Sequence, residues 1–355
     1  MAFLSVGNSI IRGISAAVPR ATESVAGLSI FSNEEAQKFT EATGVVCRHI
    51  SDRLVSSDLC CAAAEKIIAD LGWEKSTIDG LVVVTQCPDY IKPANSTIVQ
   101  HRLGLSKECV AVSLTFGCSG WVYGCQTVGG LINSGCKRVL LCTGEGMQAY
   151  YSGDKSTYPL FGAAATCTAF EYDESAAPME FHLACDGSEW HAIHIPHGGF
   201  RHPATAESFV PVANDQGIVS TPMHTHLNGM DVFMFGITQP PKSIKALCEH
   251  FDLNYADKDY LLLHQANLFL NEKIVKKLKI DSAKVPHNIE DFGNTSSSSV
   301  PLLMVSRLAD ELRRRPLDLI ACAFGIGLSW GSVHFKTNKL TVSDIVLVED
   351  SYAAE

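Results

Sequence analysis

Apolar runs alternate with helical patterns through the first half of the chain. Residues 81–85, 110–112 and 138–142 are short apolar runs that predict strands in the interior of a sheet. Residues 59–71 have the spacing of a helix, and residues 121–132 are apolar nearly all round, which predicts a buried helix. This alternation indicates a layered α/β architecture.

The second half of the chain repeats this order. Its apolar runs at residues 260–263 and 317–323 predict two strands. Helical periodicity is found at residues 243–251, 267–278 and 301–315. In both halves the carboxyl ends of the strands are expected to meet at one place, where α/β sheets bind their ligands.

The repeat divides the chain into an N-terminal half, residues 1–175, and a C-terminal half, residues 176–335. Residues 336–355 form an extension that contains a short apolar run at residues 344–348, and we expect it to fray. A segment rich in His, Pro and Gly, residues 186–228, interrupts the second half. It predicts a functional loop and a candidate wall for a substrate tunnel.

The composition of the chain limits the classes of protein to which it can belong. The 355 residues are 46% apolar and 19% charged, which is typical of a large globular protein. No apolar run is about eighteen residues long, and the N-terminus lacks a signal-peptide pattern, so we expect a cytoplasmic protein with no membrane partner. A net charge of −10 disfavours nucleic acid as a partner. The thirteen cysteines predict reduced thiols, most of them buried.

One cysteine is distinguished by its position. Cys118 lies between Gly117 and Ser119-Gly120, directly after a predicted strand and at the start of the buried helix. Free backbone N–H groups and the helix dipole stabilise a thiolate there, so we expect a lowered pKa and a nucleophilic sulfur at Cys118. A buried core cysteine is the structural alternative.

Two further polar residues end predicted elements on the same side of the sheet. His264 follows the strand at residues 260–263, and Asn294 precedes the helix at residues 301–315. Taken singly, His264 is equally a hydrogen-bonded residue at a strand end, and Asn294 is equally a helix N-cap. Together with Cys118 they supply a thiolate, an imidazole donor and an amide donor, the groups that thioester chemistry requires.

Four motifs resemble the signatures of the β-ketoacyl-acyl carrier protein synthase III (ketosynthase III) family of the thiolase superfamily, in the family's order and approximate spacing. They are residues 115–120 around Cys118, His264-Gln265-Ala266-Asn267, Gly293-Asn294-Thr295-Ser296, and residues 323–331. The resemblance covers residues 40–335. It implies a thiolase fold, which is a duplicated five-layer αβαβα arrangement, in a homodimer that acts on acyl and malonyl thioesters without a cofactor.

The resemblance also implies roles for single residues. Cys118 carries the acyl group, while His264 and Asn294 bind the carbonyl oxygen of a malonyl thioester as it loses carbon dioxide and then attacks the acyl-cysteine. The backbone N–H groups of Cys118 and Ile326 form the oxyanion hole. Lys276 and Lys277 match the basic pair that docks an acyl carrier protein. The implied setting is fatty acid, specialised lipid or polyketide synthesis.

The chain departs from family members that prime from coenzyme A. Those members carry a Trp and an Arg upstream of Thr43-Gly44, where this chain has Lys38 and Ala42. They carry an Arg five residues after the catalytic His, where this chain has Phe269. The resemblance therefore favours a carrier-bound or unusual acyl thioester as donor.

Two other functions fit parts of the sequence. The three polar residues also suit acyl transfer to a hydroxyl or amine, or thioester hydrolysis, without decarboxylation. A His-rich loop that binds metal is a third hypothesis, based on His191, His194, His197, His224 and His226. These histidines lack the regular spacing of zinc sites, so we predict no metal.

Overall fold

A computed structural model describes residues 2–215 and 217–353 of the chain. Its strands are, in chain order, β1 (Ala2–Val6), β2 (Ser9–Pro19), β3 (Thr22–Ser24), β4 (Cys47–His49), β5 (Gly80–Val84), β6 (Val110–Leu114), β7 (Arg138–Glu145), β8 (Ala164–Tyr172), β9 (Met179–Cys185), β10 (Ile193–His194), β11 (Val212–Ala213), β12 (Val219–Ser220), β13 (His226–Leu227), β14 (Tyr260–Leu263), β15 (Asp318–Gly325), β16 (Ser329–Lys336), β17 (Thr341–Val342) and β18 (Val346–Val348). Its α-helices are α1 (Asn33–Thr43), α2 (Ser56–Leu71), α3 (Asn95–Arg102), α4 (Gly120–Asn133), α5 (Gly229–His250), α6 (Leu268–Leu278), α7 (Ile289–Phe292), α8 (Ser299–Arg307) and α9 (Ala309–Arg314).

Most of the long strands form two mixed sheets. The larger sheet has the order β17-β2-β8-β7-β5-β6, with β18 also paired to β2. In it β5 runs parallel to both β6 and β7, so that Val82 lies opposite Val112 and Leu141. The smaller sheet has the order β1-β9-β16-β15-β14, with β14 parallel to β15. Among the parallel strands, β5 and β14 are buried apolar runs, as their sequences predict, whereas β6 at the edge of the larger sheet is only partly buried.

Helices separate and cover the two sheets. Helices α4 and α8 lie between the sheets, and the core that they form with both includes the fully buried Trp121. Helix α2 covers the outer face of the larger sheet, and α5 and α6 cover the outer face of the smaller one. The predicted five-layer αβαβα order is therefore confirmed. Each large apolar side chain buried in this way contributes about 1.5–3 kcal/mol.

One helix is longer than predicted. We expected it at residues 243–251, but α5 begins at Gly229, where the Asn228 side chain accepts hydrogen bonds from the first turn. Pro240 and Pro241 lie inside it and indicate a break. Lys277 Nζ donates to Ile237 O at 3.1 Å, the carbonyl whose usual N–H partner is missing at Pro241, and so replaces one of the two backbone hydrogen bonds that the prolines remove.

The chain ends also differ from expectation. The extension at residues 336–355 was expected to fray, but its strands β17 and β18 run parallel to β2 in the larger sheet. Conversely, β1 joins the smaller sheet through β9. The strands at both ends of the chain thus cross the proposed division at residue 175. The predicted helix at residues 301–315 is divided between α8 and α9.

Two expectations drawn from the composition, on the cysteines and on membrane-spanning segments, can be compared with the structure. All thirteen cysteines lie among the described residues, and each is a free thiol, as predicted. Every helix in the described ranges is too short or too polar to cross a bilayer.

A buried histidine ties three strands of the smaller sheet together. His334 on β16 has Nδ1 at 2.8 Å from Glu180 on β9 and Nε2 at 2.7 Å from Asp318 on β15. Strand β16 pairs with both β9 and β15, so the ring of His334 bridges side chains on the two strands that flank its own.

We predict that His334→Ala lowers the free energy of unfolding by about 2–3 kcal/mol, because it removes the bridge between Glu180 and Asp318 and leaves the mostly buried Glu180 without this partner. Urea denaturation at neutral pH measures the change. The control is Lys38→Ala, which breaks an exposed pair with Glu34 and should cost less than about 0.5 kcal/mol. Equal losses in the two variants would contradict this role of His334.

Candidate functional site

The three residues predicted to carry chemistry line one cavity of about 150 Å³. Cys118 reaches it from the turn before α4, His264 from the end of β14, and Asn294 from the loop before α8. Apolar residues supply much of the wall: Leu160, Phe161, Ile193, Leu227, Val232, Phe233, Phe235, Leu270 and Phe324. The fold thus brings together three polar groups of different chemistry in apolar surroundings.

A glycine determines how Cys118 sits. A Cβ atom at Gly325, the last residue of β15, would lie 2.7 Å from Cys118 Cβ and 2.9 Å from its Sγ. Only glycine allows this approach of the two sheets. On the other side, Ser296 Oγ lies 3.8 Å from the sulfur. The thiol is therefore held between a strand end of the smaller sheet and the serine run before α8.

The expected lowering of the Cys118 pKa was wrong. Burial raises the pKa of this thiol to about 12, although Ser296 and the backbone N–H groups of Cys118 and Ile326 favour the thiolate. The cost of removing the thiolate from water exceeds the stabilisation at the start of α4. Cys118 is therefore a neutral thiol at rest, and its sulfur needs nearby N–H donors when negative charge develops.

His264 is also neutral and has a defined orientation. Burial lowers the pKa of its imidazole to about 3. Its Nδ1 lies 2.6 Å from Ser299 Oγ, and its ring meets the edge of Phe324 at 5.5 Å between centroids. Because Ser299 occupies Nδ1, the imidazole meets a bound molecule through Nε2. If the Ser299 hydroxyl donates to Nδ1, Nε2 keeps its hydrogen and is a donor.

Asn294 has its amide group oriented by the backbone. Its Oδ1 accepts a hydrogen bond from the Ser296 N–H at 2.9 Å, and its Nδ2 lies 3.5 Å from Ala266 O. Its own backbone pairs with Leu160, which also lines the cavity, and with Gly162. Since Oδ1 is occupied, the amide presents N–H rather than oxygen to the cavity. The N-cap interpretation of Asn294 was wrong, because α8 begins at Ser299.

The two predicted oxyanion-hole groups are adjacent to the nucleophile. The backbone N–H groups of Cys118 and Ile326 both lie close enough to the Cys118 sulfur to stabilise negative charge on it. Ile326 directly follows Gly325, so the contact between the two sheets also places its N–H. Two N–H donors at one sulfur are an arrangement that stabilises an anionic intermediate.

Sequence reasoning missed two polar residues near this cavity. Ser299 orients His264, but it is the last of four consecutive serines, and no feature of that run distinguishes it. Glu145 ends β7 and is only 4% exposed. A single acidic residue at the end of an apolar strand, in Gly144-Glu145-Gly146, was a signal that could have identified it.

The predicted docking lysines differ in their surroundings. Lys276 and Lys277 are both exposed in the last turn of α6. Lys277, however, is engaged by the carbonyl of Ile237 in α5. Its charge is still on the surface, but its removal would also affect the helix that contains Pro240 and Pro241.

The His-rich loop contributes to the cavity wall and does not collect its histidines. Ile193 and Leu227 from residues 186–228 line the cavity, so the segment predicted to form a tunnel wall reaches the cavity at these two positions. Among residues 2–215 and 217–353, the potential metal-ligating group includes one histidine of the loop, His191, with Glu189 and Asp231. A metal site formed by several of these histidines is therefore not favoured.

Comparisons with known proteins agree on one family. The C-terminal family model of 3-oxoacyl-[acyl-carrier-protein] synthase III matches residues 248–337, and the companion model of the same enzyme matches residues 113–187. A β-ketoacyl-[acyl-carrier-protein] synthase III of Streptococcus pneumoniae is 33% identical over 301 residues, which are 82% of this chain and 87% of that protein. A putative 3-oxoacyl-[acyl-carrier-protein] synthase 3 of Campylobacter jejuni is 29% identical over 329 residues, 90% of each chain.

Solved structures show the same similarity. The crystal structure of a 3-oxoacyl-(acyl-carrier protein) synthase from Burkholderia xenovorans LB400 superimposes with a TM-score of 0.91 and 31% identity. It covers 98% of this chain and 99% of that one. The similarity in fold therefore extends over almost the whole chain.

We predict that Gly325→Ala slows alkylation of Cys118 by iodoacetamide by at least about tenfold, because the added methyl group displaces the thiol, and small displacements of reacting groups have large effects on rate. Mass spectrometry of the Cys118 peptide measures the rate. The matched control is Gly130→Ala in α4, where an added Cβ meets no atom within 4 Å. An unchanged rate in Gly325→Ala would show that the contact does not position Cys118.

Proposed function

Because this chain belongs to the 3-oxoacyl-[acyl-carrier-protein] synthase III family, whose members are acyl-transferring condensing enzymes of the thiolase fold, we propose that Cys118 carries the acyl group during condensation. His264 and Asn294 are the proposed donors to the extender thioester. The predicted family, fold and condensing activity are confirmed by these relationships. The roles of the individual residues are our proposal.

One observation supports this proposal most directly. A thiol, a neutral imidazole and an oriented amide face the same small cavity, and neither donor carries a charge. Thioester condensation requires one nucleophile and donors that bind a carbonyl oxygen more tightly as it becomes negative. Both requirements are met by groups that the fold holds in place.

In the proposed first step, Cys118 attacks the carbonyl carbon of an acyl thioester and loses its proton. The carbonyl oxygen becomes an oxyanion, which the N–H groups of Cys118 and Ile326 stabilise. The tetrahedral intermediate collapses, the donor thiol leaves with a proton, and the acyl group remains on Cys118. Each such N–H donor contributes about 3 kcal/mol to lowering the barrier.

In the proposed second step, a malonyl thioester loses carbon dioxide next to acyl-Cys118. The electron pair of the broken carbon–carbon bond forms an enolate, whose oxygen accepts hydrogen bonds from His264 Nε2 and Asn294 Nδ2. The enolate carbon then attacks the acyl carbonyl and the carbon–sulfur bond breaks, so that Cys118 is released as a thiolate, which takes up a proton from solvent to restore the resting thiol. Because burial keeps the pKa of His264 at about 3, the imidazole is neutral at neutral pH and acts as a donor rather than a base.

The mouth of the cavity supports a carrier-bound donor. Phe269, at the position where coenzyme A-priming members have Arg, is 45% exposed and stacks on Phe233 at 5.9 Å between centroids. Lys273 Nζ lies 4.5 Å from its ring centre. This surface is apolar with one cation at its edge, which suits an acyl thioester arm better than a nucleotide phosphate. Lys276 lies farther along the same helix and is the proposed contact for an acidic carrier protein.

We also propose that the protein is a homodimer. Strand β6 ends the order of the larger sheet, and its first residue, Val110, is 45% exposed. An edge strand of this kind is a template for pairing with another chain. A second copy that pairs through β6 would extend the larger sheet across both protomers.

Intact mass spectrometry tests the central proposal. The wild-type protein should gain the mass of an acyl group from at least one member of a panel of acyl-carrier and acyl-coenzyme A donors, and Cys118→Ala should gain none. Carbon dioxide should then be released from malonyl-carrier in step with product. Adducts without carbon dioxide release would favour simple acyl transfer, and the absence of any adduct would exclude Cys118 as the acyl carrier.

Asn294→Asp should lower the rate of carbon dioxide release by about 10²–10³-fold, because a carboxylate replaces a donor and opposes the enolate charge. Acylation of Cys118 should change much less, since its oxyanion is bound by backbone groups. Single-turnover measurement with preformed acyl-enzyme separates the two steps. Equal decarboxylation rates would remove Asn294 from the mechanism.

Lys276→Glu should raise KM for malonyl-carrier several-fold and weaken its salt dependence, because electrostatic attraction steers the carrier. The matched substrate control is malonyl-coenzyme A, for which KM should be unchanged. Lys277→Met should in addition lower thermal stability, because it leaves the Ile237 carbonyl without its donor. A KM that rises equally for both substrates would contradict docking at Lys276.

A further inference from the structure

Glu145 is a buried carboxyl group with an unusual set of partners. Its Oε1 accepts a hydrogen bond from the Gln86 N–H at 3.2 Å and from Ser297 Oγ at 3.4 Å, and its Oε2 lies 3.5 Å from Thr85 Oγ1. These are long hydrogen bonds from neutral donors. Within the described part of the chain, no Lys, Arg or His pairs with it. A buried carboxylate without a cation is costly, so the group needs a reason other than stability.

The partners of Glu145 belong to the segments that flank the nucleophile. Gln86 extends its side chain over the Cys118 turn, where a Cβ at Gly117 would lie 2.1 Å from Gln86 Oε1. Ser297 follows Ser296, whose hydroxyl contacts the Cys118 sulfur. Glu145 therefore connects both sides of the Cys118 turn.

The carboxyl group is also electrostatically coupled to this turn. Burial raises the pKa of Glu145 to about 7, so both of its protonation states occur near neutral pH. Three influences shift the pKa of Cys118 most: burial, the hydrogen bond from Ser296 and the charge of Glu145, in that order. The charge of Glu145 raises this pKa. The other titratable groups that face Glu145 are Cys87 and Tyr150, both neutral at this pH because burial raises their pKa values.

We propose that Glu145, through its contacts with Gln86 and Ser297, is a positioning residue that modulates how readily negative charge develops at Cys118: its neutral form permits that charge, and its charged form opposes it. The inference rests on the proposed function, because both proposed steps develop negative charge at this place, on the Cys118 sulfur and then on the enolate. The protonated carboxyl group would thus be the productive form.

Alkylation of Cys118 by iodoacetamide across pH 6–10 tests this inference without any acyl donor. Glu145→Gln keeps an acceptor for the Gln86 N–H and cannot ionise. It should move the Cys118 profile to lower pH and speed alkylation near pH 8 by about tenfold, the effect of about one pKa unit. Glu145→Asp retains the charge and should follow the wild type. Peptide-resolved mass spectrometry reports the exposed Cys185 in the same samples as an internal control that should not change.

Ser297→Ala provides a second test that keeps the carboxyl group. It removes a donor that favours the charged form, so Glu145 stays neutral to higher pH and Cys118 alkylation should be faster just above neutral pH. Thermal unfolding shows whether Glu145→Gln is folded. If it is not, Ser297→Ala tests the inference on Glu145 in its place. Wild-type Cys118 profiles in the folded variants would overturn the inference and leave Glu145 a structural role. Since alkylation needs no condensation, a failure of the proposed function would leave this result unaffected.

Discussion

The approach of Gly325 to Cys118 is the contact on which the rest of the site depends. It joins the end of β15 in the smaller sheet to the turn before α4, at a distance that leaves no room for a side chain. The same contact places the N–H of Ile326 beside the Cys118 sulfur. Helices α4 and α8 lie between the two sheets. The contact between Gly325 and Cys118 joins the ends of the sheets at one place, and the chemistry is located there.

Burial explains the pKa values of the titratable groups around this contact. It raises the pKa of Cys118 to about 12 and of Glu145 to about 7, and it lowers the pKa of His264 to about 3. Each shift favours the neutral form, because a charge in this cavity has lost its water. A site whose nucleophile and side-chain donors are uncharged at rest is suited to intermediates that carry the negative charge themselves.

The stability of the scaffold comes from other places. Three groups that stabilise the scaffold lie outside the polar part of the cavity. They are Trp121 in the core between the sheets, His334 between strands of the smaller sheet, and Lys277 at the carbonyl freed by Pro241. The site itself retains groups that are costly to bury, such as Glu145. Apolar packing elsewhere offsets that cost, and the polar groups can be selected for chemistry.

The sequence by itself determined the alternation of strands and helices, the duplicated layers, and the three polar residues at element ends, because periodicity and local motifs are properties of neighbouring residues. It did not determine the length of α5, which continues through Pro240 and Pro241 while Lys277 on another helix donates to the Ile237 carbonyl that Pro241 leaves free. Nor could it determine the direction of the Cys118 pKa shift or the partners of Glu145 and Ser299. Those depend on burial and on contacts between residues distant in the chain, which only the tertiary structure decides.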